Sequence, residues 1–194
     1  MPEKNKPVNT AKEVELIKAC QKNDRKAQSE FYRLYSAKFL GIVYRFAGDF
    51  DTANDLLQEG FIKIFRHIND YRFDGSFEGW MKRIIIRTSI DYIKKHHKLY
   101  FEEINEDHQK AIKEEADTIE KMNCDAIINA ITQLPKNYAT VLNLYAIEGF
   151  SYAEISDMLE IKEVTVRSQY MRAKQKLAVI LSEQHHISYA AKIV

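Results

Sequence analysis

Turn-forming residues are scarce in this chain. Six Gly and three Pro among 194 residues fall well short of the roughly 12% that ordinary proteins devote to the two together, which disfavours sandwiches, barrels and many-stranded sheets. Long hydrophobic runs are missing too. None approaches the roughly 20 apolar residues of a membrane span, and the N-terminal sequence MPEKNKPVNT lacks the apolar stretch of a secretory signal. A cytoplasmic protein, not itself a membrane protein, is expected. Cysteine is limited to Cys20 and Cys124, far apart and without a C-x-x-C spacing, and the six His form no H-E-x-x-H. Neither a disulfide framework nor a metal site is indicated. No nucleophile–base arrangement, no paired carboxylates in an apolar setting and no G-x-x-x-x-G-K phosphate loop occurs. The expectation is a protein that is not an enzyme, with no cofactor and no small-molecule substrate.

What is present is an apolar fraction of 45%, enough to bury a core, and an uneven distribution of charge. The net charge is only +1, yet residues 1–98 carry 19 Lys and Arg against 13 Asp and Glu, residues 99–124 three against eight, and residues 125–194 seven against seven. A basic part, an acidic stretch and a balanced part read as two globular units joined by a charged tether. The expected fold is all-α: a helical bundle over residues 12–98, an acidic linker over 99–124, a helical domain containing a helix-turn-helix over 125–182, and a C-terminal tail over 183–194. The linker has few large apolar side chains after Ile104, so it buries little surface to offset chain ordering. A solvated helix over Lys110 to Lys121 is the alternative.

Apolar residues recur at helical spacing in the first part. Phe31, Tyr35, Ile42 and Phe46 form one stripe, and Leu57, Phe61, Ile64, Phe65 and Ile68 another. Between them, Gly48 to Thr52 offers a stop glycine and N-cap candidates. A turn is expected over Tyr71 to Ser76, then a helix over Phe77 to Lys95 with Met81, Ile84, Ile85, Thr88 and Tyr92 on its buried face. In the last part, Leu134-Pro135 opens a helix over Lys136 to Glu148 with Val141, Leu144 and Tyr145 inward, stopped by Gly149. Ser151-x-x-Glu154 is a capping-box pattern for a short helix to about Leu159 with Ala153, Ile155 and Met158 buried. After a turn at Glu160 to Glu163, a basic helix begins near Val164. Two short helices joined by a tight turn, the second longer, make a helix-turn-helix.

A helix of that kind fits the DNA major groove, where base edges are distinguishable. With Val166, Tyr170, Ala173 and Leu177 taken as the buried face, Thr165, Ser168, Gln169 and Arg172 are expected to turn outward, flanked by Arg167, Lys174 and Lys176. Gln pairs with adenine, Arg with guanine or phosphate, and Thr or Ser with either. In the first part, Tyr71, Phe73, Phe77 and Trp80 lie among Arg72, Lys82, Arg83 and Arg87. Rings interleaved with cations suit unpaired nucleotides, which stack on the rings while cations hold their phosphates; for Phe77 and Trp80 core packing is the alternative. The other face of this helix mixes Arg83, Arg87 and Lys94 with Ile86 and Ile90, as a contact surface would. Asp55, Gln58 and Glu59 sit on an amphipathic helix whose partner spacing alone does not identify.

These pieces together resemble the extracytoplasmic-function (ECF) class of the sigma-70 family, the compact promoter-specificity subunits of bacterial RNA polymerase, over residues 12–180. The resemblance is carried by Asp55-Leu56-Leu57-Gln58-Glu59-Gly60-Phe61 with Phe65-Arg66, by Phe77-Glu78-Gly79-Trp80-Met81-Lys82-Arg83-Ile84 with Asp91-Tyr92, and by Leu134-Pro135, Glu148-Gly149 and Glu154-Ile155. Thr165-Val166-Arg167-Ser168 and Arg172-Ala173-Lys174 complete it. It implies a first unit like sigma domain two, a second like sigma domain four, and three partners: core RNA polymerase, promoter DNA and an anti-sigma factor. The helix with Asp55, Gln58, Glu59, Phe61 and Phe65 would dock on the coiled coil of the largest polymerase subunit. The segment from Tyr71 to Lys95 would capture the melted minus-ten strand, and the helix from Val164 to Lys176 would read the minus-thirty-five duplex. The tether would thread the RNA exit path, its acids imitating nucleic acid.

Four positions depart from the family pattern. Arg87 stands where Asn is common, Glu160 where Gly is usual, and Ala139 and Gln169 where Arg is frequent; the last two are expected to weaken phosphate contact or alter the sequence read. Two other readings remain at this point. A free-standing helix-turn-helix regulator accounts for residues 125–182 but leaves the aromatic–basic first unit without a role. A helical interaction adaptor with merely solvated basic helices would show no salt-dependent DNA affinity.

Overall fold

The computed structural model describes residues 10–96 and 124–190, which contain helices and no strand. They fall into two compact units divided after Tyr92. The tether expected over 99–124 and its alternative helix over Lys110 to Lys121 lie outside the described residues, apart from Cys124.

In the first unit each helix boundary has a local chemical cause. Helix α1 (Ala11–Gln21) opens on a capping box: Thr10 Oγ1 accepts from the Glu13 amide at 3.2 Å, and Glu13 Oε2 accepts from the Thr10 amide at 2.7 Å, pairing amides that a helix start leaves open. Asn23 turns the chain through the left-handed region at φ +60°, and Asp24 Oδ1 accepts from the amides of Lys26 and Ala27 to start α2 (Arg25–Ala47). Gly48 ends α2 at φ +89°. Asp49 then caps α3 (Phe50–His67) by accepting from the Thr52 amide at 2.8 Å, as the Gly48–Thr52 pattern suggests. A short 3-10 turn, Ile68–Asp70, and a loop lead to Ser76, whose Oγ accepts from the Gly79 amide at 3.2 Å ahead of α4 (Phe77–His96).

The two aromatic stripes converge inside this unit. Phe31, Ile42 and Phe46 of α2 and Leu57, Phe61 and Ile64 of α3 are buried, joined by Phe39 and Ile68, while Tyr35 and Phe65 are half-buried. Each fully buried side chain of this size is worth about 1.5–3 kcal/mol. A Cβ on Gly60 would run into the Ile85 side chain, so α3 and α4 approach closely there. Helix α4 is buried over more of its circumference than one apolar face requires. Met81, Ile85 and Thr88 are inside as expected, Ile84 and Tyr92 are half-buried, and Ile86, Ser89, Ile90 and Ile93 are buried as well. Of the mixed face, Ile86 and Ile90 are buried, Lys94 is half-buried, and Arg83 and Arg87 are exposed. The polar members of the buried face are satisfied within the helix, Thr88 Oγ1 donating to Ile84 O and Ser89 Oγ to Ile85 O, which removes the penalty that would otherwise keep them outside.

In the second unit, α5 (Cys124–Thr132) precedes Pro135, which stands just ahead of α6 (Lys136–Leu142). The regular helix expected to Glu148 instead widens into a π-helical turn, Asn143–Ile147, in which the Glu148 amide donates to Asn143 O at 2.9 Å; Gly149 leaves it at φ +78°. Helix α7 (Tyr152–Leu159) carries the expected capping box between Ser151 and Glu154. Ile155 and Leu159 are buried and Met158 half-buried, but Ala153 is exposed, because two residues from Ile155 lies on the opposite side of a helix. Glu160 turns the chain into α8 (Glu163–Ala190). Helix α8 continues past residue 182, where a tail was expected, with Leu181 still buried; neither Gly nor Pro interrupts it. The core of this unit joins Ile131, Leu134, Ala139, Leu142 and Ala173, with Ile127, Tyr138, Leu177 and Ile180 packed against it. Among the described residues no helix is long and apolar enough to cross a membrane.

Candidate nucleic-acid interface

The loop between the 3-10 turn and α4 gathers the four rings singled out in the sequence. Tyr71 lies 5.0 Å from Phe73, 4.7 Å from Phe77 and 5.7 Å from Trp80, measured between ring centroids, and Phe77 lies 5.3 Å from Trp80. Their exposures differ. Phe77 is 2% exposed and makes an edge contact with Phe31 at 5.2 Å; Tyr71 is buried, its hydroxyl donating to Gly75 O at 2.6 Å. These two back the cluster and are closed to a ligand. Trp80 is half-buried and Phe73 is 37% exposed, so these two rings offer the reachable faces. Phe73 is held outward by a backbone in the left-handed region, φ +62°, followed by Gly75 at φ +113°. Gln21, at the end of α1, donates to Ile68 O at 3.1 Å and ties the base of the loop; its distance in sequence kept it out of the sequence reading. Arg72, Arg83 and Arg87 are exposed and Lys82 half-buried. Exposed rings beside cations can stack unpaired bases and hold their phosphates.

Asp55, Gln58 and Glu59 are exposed on one face of α3, as the helical spacing requires. Ile62, missed in the sequence reading, extends this face and is 58% exposed; its position seven residues after Asp55 was the available signal. Phe61, by contrast, is buried, with Tyr32 and Phe39 at 4.7 and 6.1 Å, and Phe65 is half-buried, 6.2 Å from Phe31. Glu59 pairs with Lys63 at 2.8 Å.

Helix α8 is rotated from the expectation. Thr165 and Gln169 do not turn outward: both are buried, Gln169 at 1% exposure, with its Oε1 accepting from Asn137 Nδ2 at 3.0 Å. That bond lets a polar side chain occupy the α6–α8 contact. Ala139 is buried in the same unit, so at these two departures from the family pattern the structure shows packing where loss of groove charge was expected. Tyr170, assigned to the core, is half-buried in a ring cluster with Tyr145 at 4.6 Å and Tyr152 at 6.3 Å, and Tyr145 and Tyr152 stack at 4.2 Å. Burial, with the hydrogen bond to Tyr145 next, pushes the Tyr152 phenol up to about 12. The outward line of α8 runs through Val164, Arg167, Met171 and Lys174, all exposed, with Ser168 and Arg172 half-buried beside it and Lys176 exposed. Arg167 bonds to Glu163 at 2.7 Å and lies over the Tyr152 ring at 4.9 Å. Lys174 and Lys176 lie 6.0 and 5.9 Å from the rings of Tyr170 and Tyr138. Cations braced on rings around an outward helix face can meet a polyanion at small entropic cost. Among the described residues no group of three or more His, Cys, Asp or Glu could hold a metal ion.

The family model for Sigma-70 region 2 matches residues 31–99, and that for Sigma-70, region 4 matches residues 124–177. The ECF RNA polymerase sigma factor SigE of Mycolicibacterium smegmatis is 32% identical over 159 residues, 79% of this chain and 61% of that protein. The ECF RNA polymerase sigma factor SigM of Bacillus subtilis is 30% identical over 158 residues, 78% of this chain and 93% of that protein. The chain belongs to the ECF sigma factors. Members of this class are promoter-specificity subunits of RNA polymerase with no enzymatic activity of their own. The region 2 match on this sigma factor takes in α2, α3 and α4, and the region 4 match runs from α5 into α8. The sigma factor RpoE of Bartonella quintana, solved in complex with the anti-sigma factor NepR, has a similar fold at a TM-score of 0.50 and 16% identity, over 79% of this sigma factor and 96% of that chain.

Proposed function

We infer that this sigma factor binds core RNA polymerase and directs it to promoters whose two elements are read by its two units. The observation that carries the reading is the order of the matches: region 2 falls on the unit with the loop of rings, and region 4 on the unit with the helix-turn-helix. Phe73 and Trp80, backed by Tyr71 and Phe77, stack bases of the melted minus-ten strand, while Arg83, Arg87 and Lys82 hold its phosphates. Helix α8 lies in the minus-thirty-five major groove with Arg167, Ser168, Arg172, Lys174 and Lys176 as its polar contacts. The α3 face of Asp55, Gln58, Glu59 and Ile62 docks on the largest polymerase subunit. A first domain over 12–98 and a second that begins at 125 and takes in α8, with the acidic 99–124 between them, belong to this reading. So do a cytoplasmic location and an anti-sigma partner, the latter supported by the NepR complex of the Bartonella protein. A free-standing regulator would leave the region 2 match without a purpose.

Run-off transcription with purified core polymerase, from the promoter of the protein's own operon, tests the reading. Transcripts are expected only when the sigma factor is added, and the protein alone should leave a weak footprint on duplex DNA. Persistent failure to bind core, or a strong footprint without it, overturns the proposal.

A further inference from the structure

The centre of the outward face of α8 is apolar. Val164 and Met171, 44% and 40% exposed, lie on nearly the same line of the helix, seven residues apart, directly opposite the buried Val166 and Ala173. Beyond Met171 the line turns polar at the exposed Gln175 before the exposed Ala178, so the apolar pair is Val164 and Met171. Arg167 and Lys174 flank it on one side and Ser168 and Arg172 on the other. On a helix bathed only in solvent, cations around an apolar line do no more than cover part of it with their stems. In a major groove they do more, because phosphates form the two walls while the floor presents base edges, and the one apolar group on that floor is the thymine C5 methyl.

We propose that Val164 and Met171 are specificity-determining residues that select thymine methyls in the minus-thirty-five duplex; this deepens the assignment of α8 as the groove helix and rests on it. Seven residues at the α-helical rise span about 10 Å, so the two methyls belong to base pairs two to three steps apart on the groove floor. The side chains reach them without rearrangement, since both are exposed on the outward side of α8. The contact is a desolvation effect: each methyl removed from water against an aliphatic side chain is worth about fourfold in affinity. Arg167, braced between Glu163 and the Tyr152 ring, sets the register by its polar contact and leaves the methyls to the residues before and after it.

The test uses the full chain assembled with core polymerase. A promoter library randomised across the minus-thirty-five region is bound and sequenced, and the enriched duplex is remade with uracil in place of thymine, which deletes the methyls and keeps every Watson–Crick group. Enrichment of two A·T pairs two to three steps apart is expected, with a loss of about fourfold in affinity for each uracil. Val164→Ala should make one site indifferent to uracil and Met171→Ala the other, with only small shifts in the thermal melts because each residue is 40% or more exposed. If a defined duplex is enriched and lost with Arg167→Ala but tolerates uracil at every position, the methyl proposal is overturned and the groove assignment stands. If no sequence is enriched and Arg167→Ala has no effect, the groove assignment falls and the proposal with it.

Discussion

Glu160 carries the backbone through the left-handed region, φ +59° and ψ +42°, at the end of α7. A side chain there meets its own backbone, a strain that glycine does not feel. Glu160→Gly is expected to be up to about 1 kcal/mol more stable than Glu160→Ala, which loses the same ion pair with Lys94 at 2.8 Å but keeps the Cβ, read as a higher urea midpoint; equal midpoints for the two variants would mean that the turn stores no strain. Phe73 presents the same backbone problem at φ +62°, but here the proposed function gives the side chain a use. Phe73→Gly should leave the fold as stable or more so, yet weaken capture of a single-stranded minus-ten oligonucleotide by the polymerase complex about tenfold, the cost of one lost base–ring stack. A variant that melts earlier and captures the strand equally well would make Phe73 a packing residue only.

Among the elements, helix ends and helix faces had different origins. The caps at Asp49 and Ser151 were readable because capping is a contact between residues three apart, complete within the local sequence. The rotation of α8 was not readable. Gln169 is buried because Asn137, thirty-two residues earlier, reaches it, and only that partner makes an amide cheaper inside than outside. Gln169→Ala is expected to cost about 1–3 kcal/mol by removing a buried hydrogen bond to Asn137, measured by chemical denaturation with Asn137→Ala in a double-mutant cycle; additive losses would show that the pair is not coupled. At the other end of the chain, the Thr10 amide, the Tyr35 hydroxyl and the Thr10 hydroxyl hold the Glu13 carboxyl below its usual 4.5. The folded state thus prefers the carboxylate. Its contribution to stability is complete above pH 4.5 and fades as pH falls through the lower folded value. The difference in melting temperature between wild type and Glu13→Gln should accordingly shrink toward zero on acidification; a difference that persists in acid would detach the box from the charge of Glu13.

For the whole molecule, the proposed α3 interface makes assembly sensitive to charge. The exposed acids Asp55 and Glu59 lie on one face of α3 with Ile62, and reversing both, Asp55→Lys with Glu59→Lys, is expected to weaken binding to core polymerase about tenfold at low salt, with the difference narrowing as salt rises. Competition against the wild-type sigma factor for limiting core measures it, and equal competition would remove α3 from the interface. Ile62 belongs to the same test, because an apolar contact made there would be left untouched by charge screening.

The all-α class, the two units, the caps, the stop glycines and the helix-turn-helix were set by the sequence alone, since each rests on periodicity, on turn chemistry or on contacts a few residues long. Which side of α4 and α8 faces inward, which rings of the Tyr71–Trp80 group are reachable, and the apolar line of Val164 and Met171 were decided only by tertiary structure. A helix with apolar residues on more than one side has several nearly equivalent ways to bury them. The choice among these falls to neighbours far away in the chain, through packing and the satisfaction of buried polar groups.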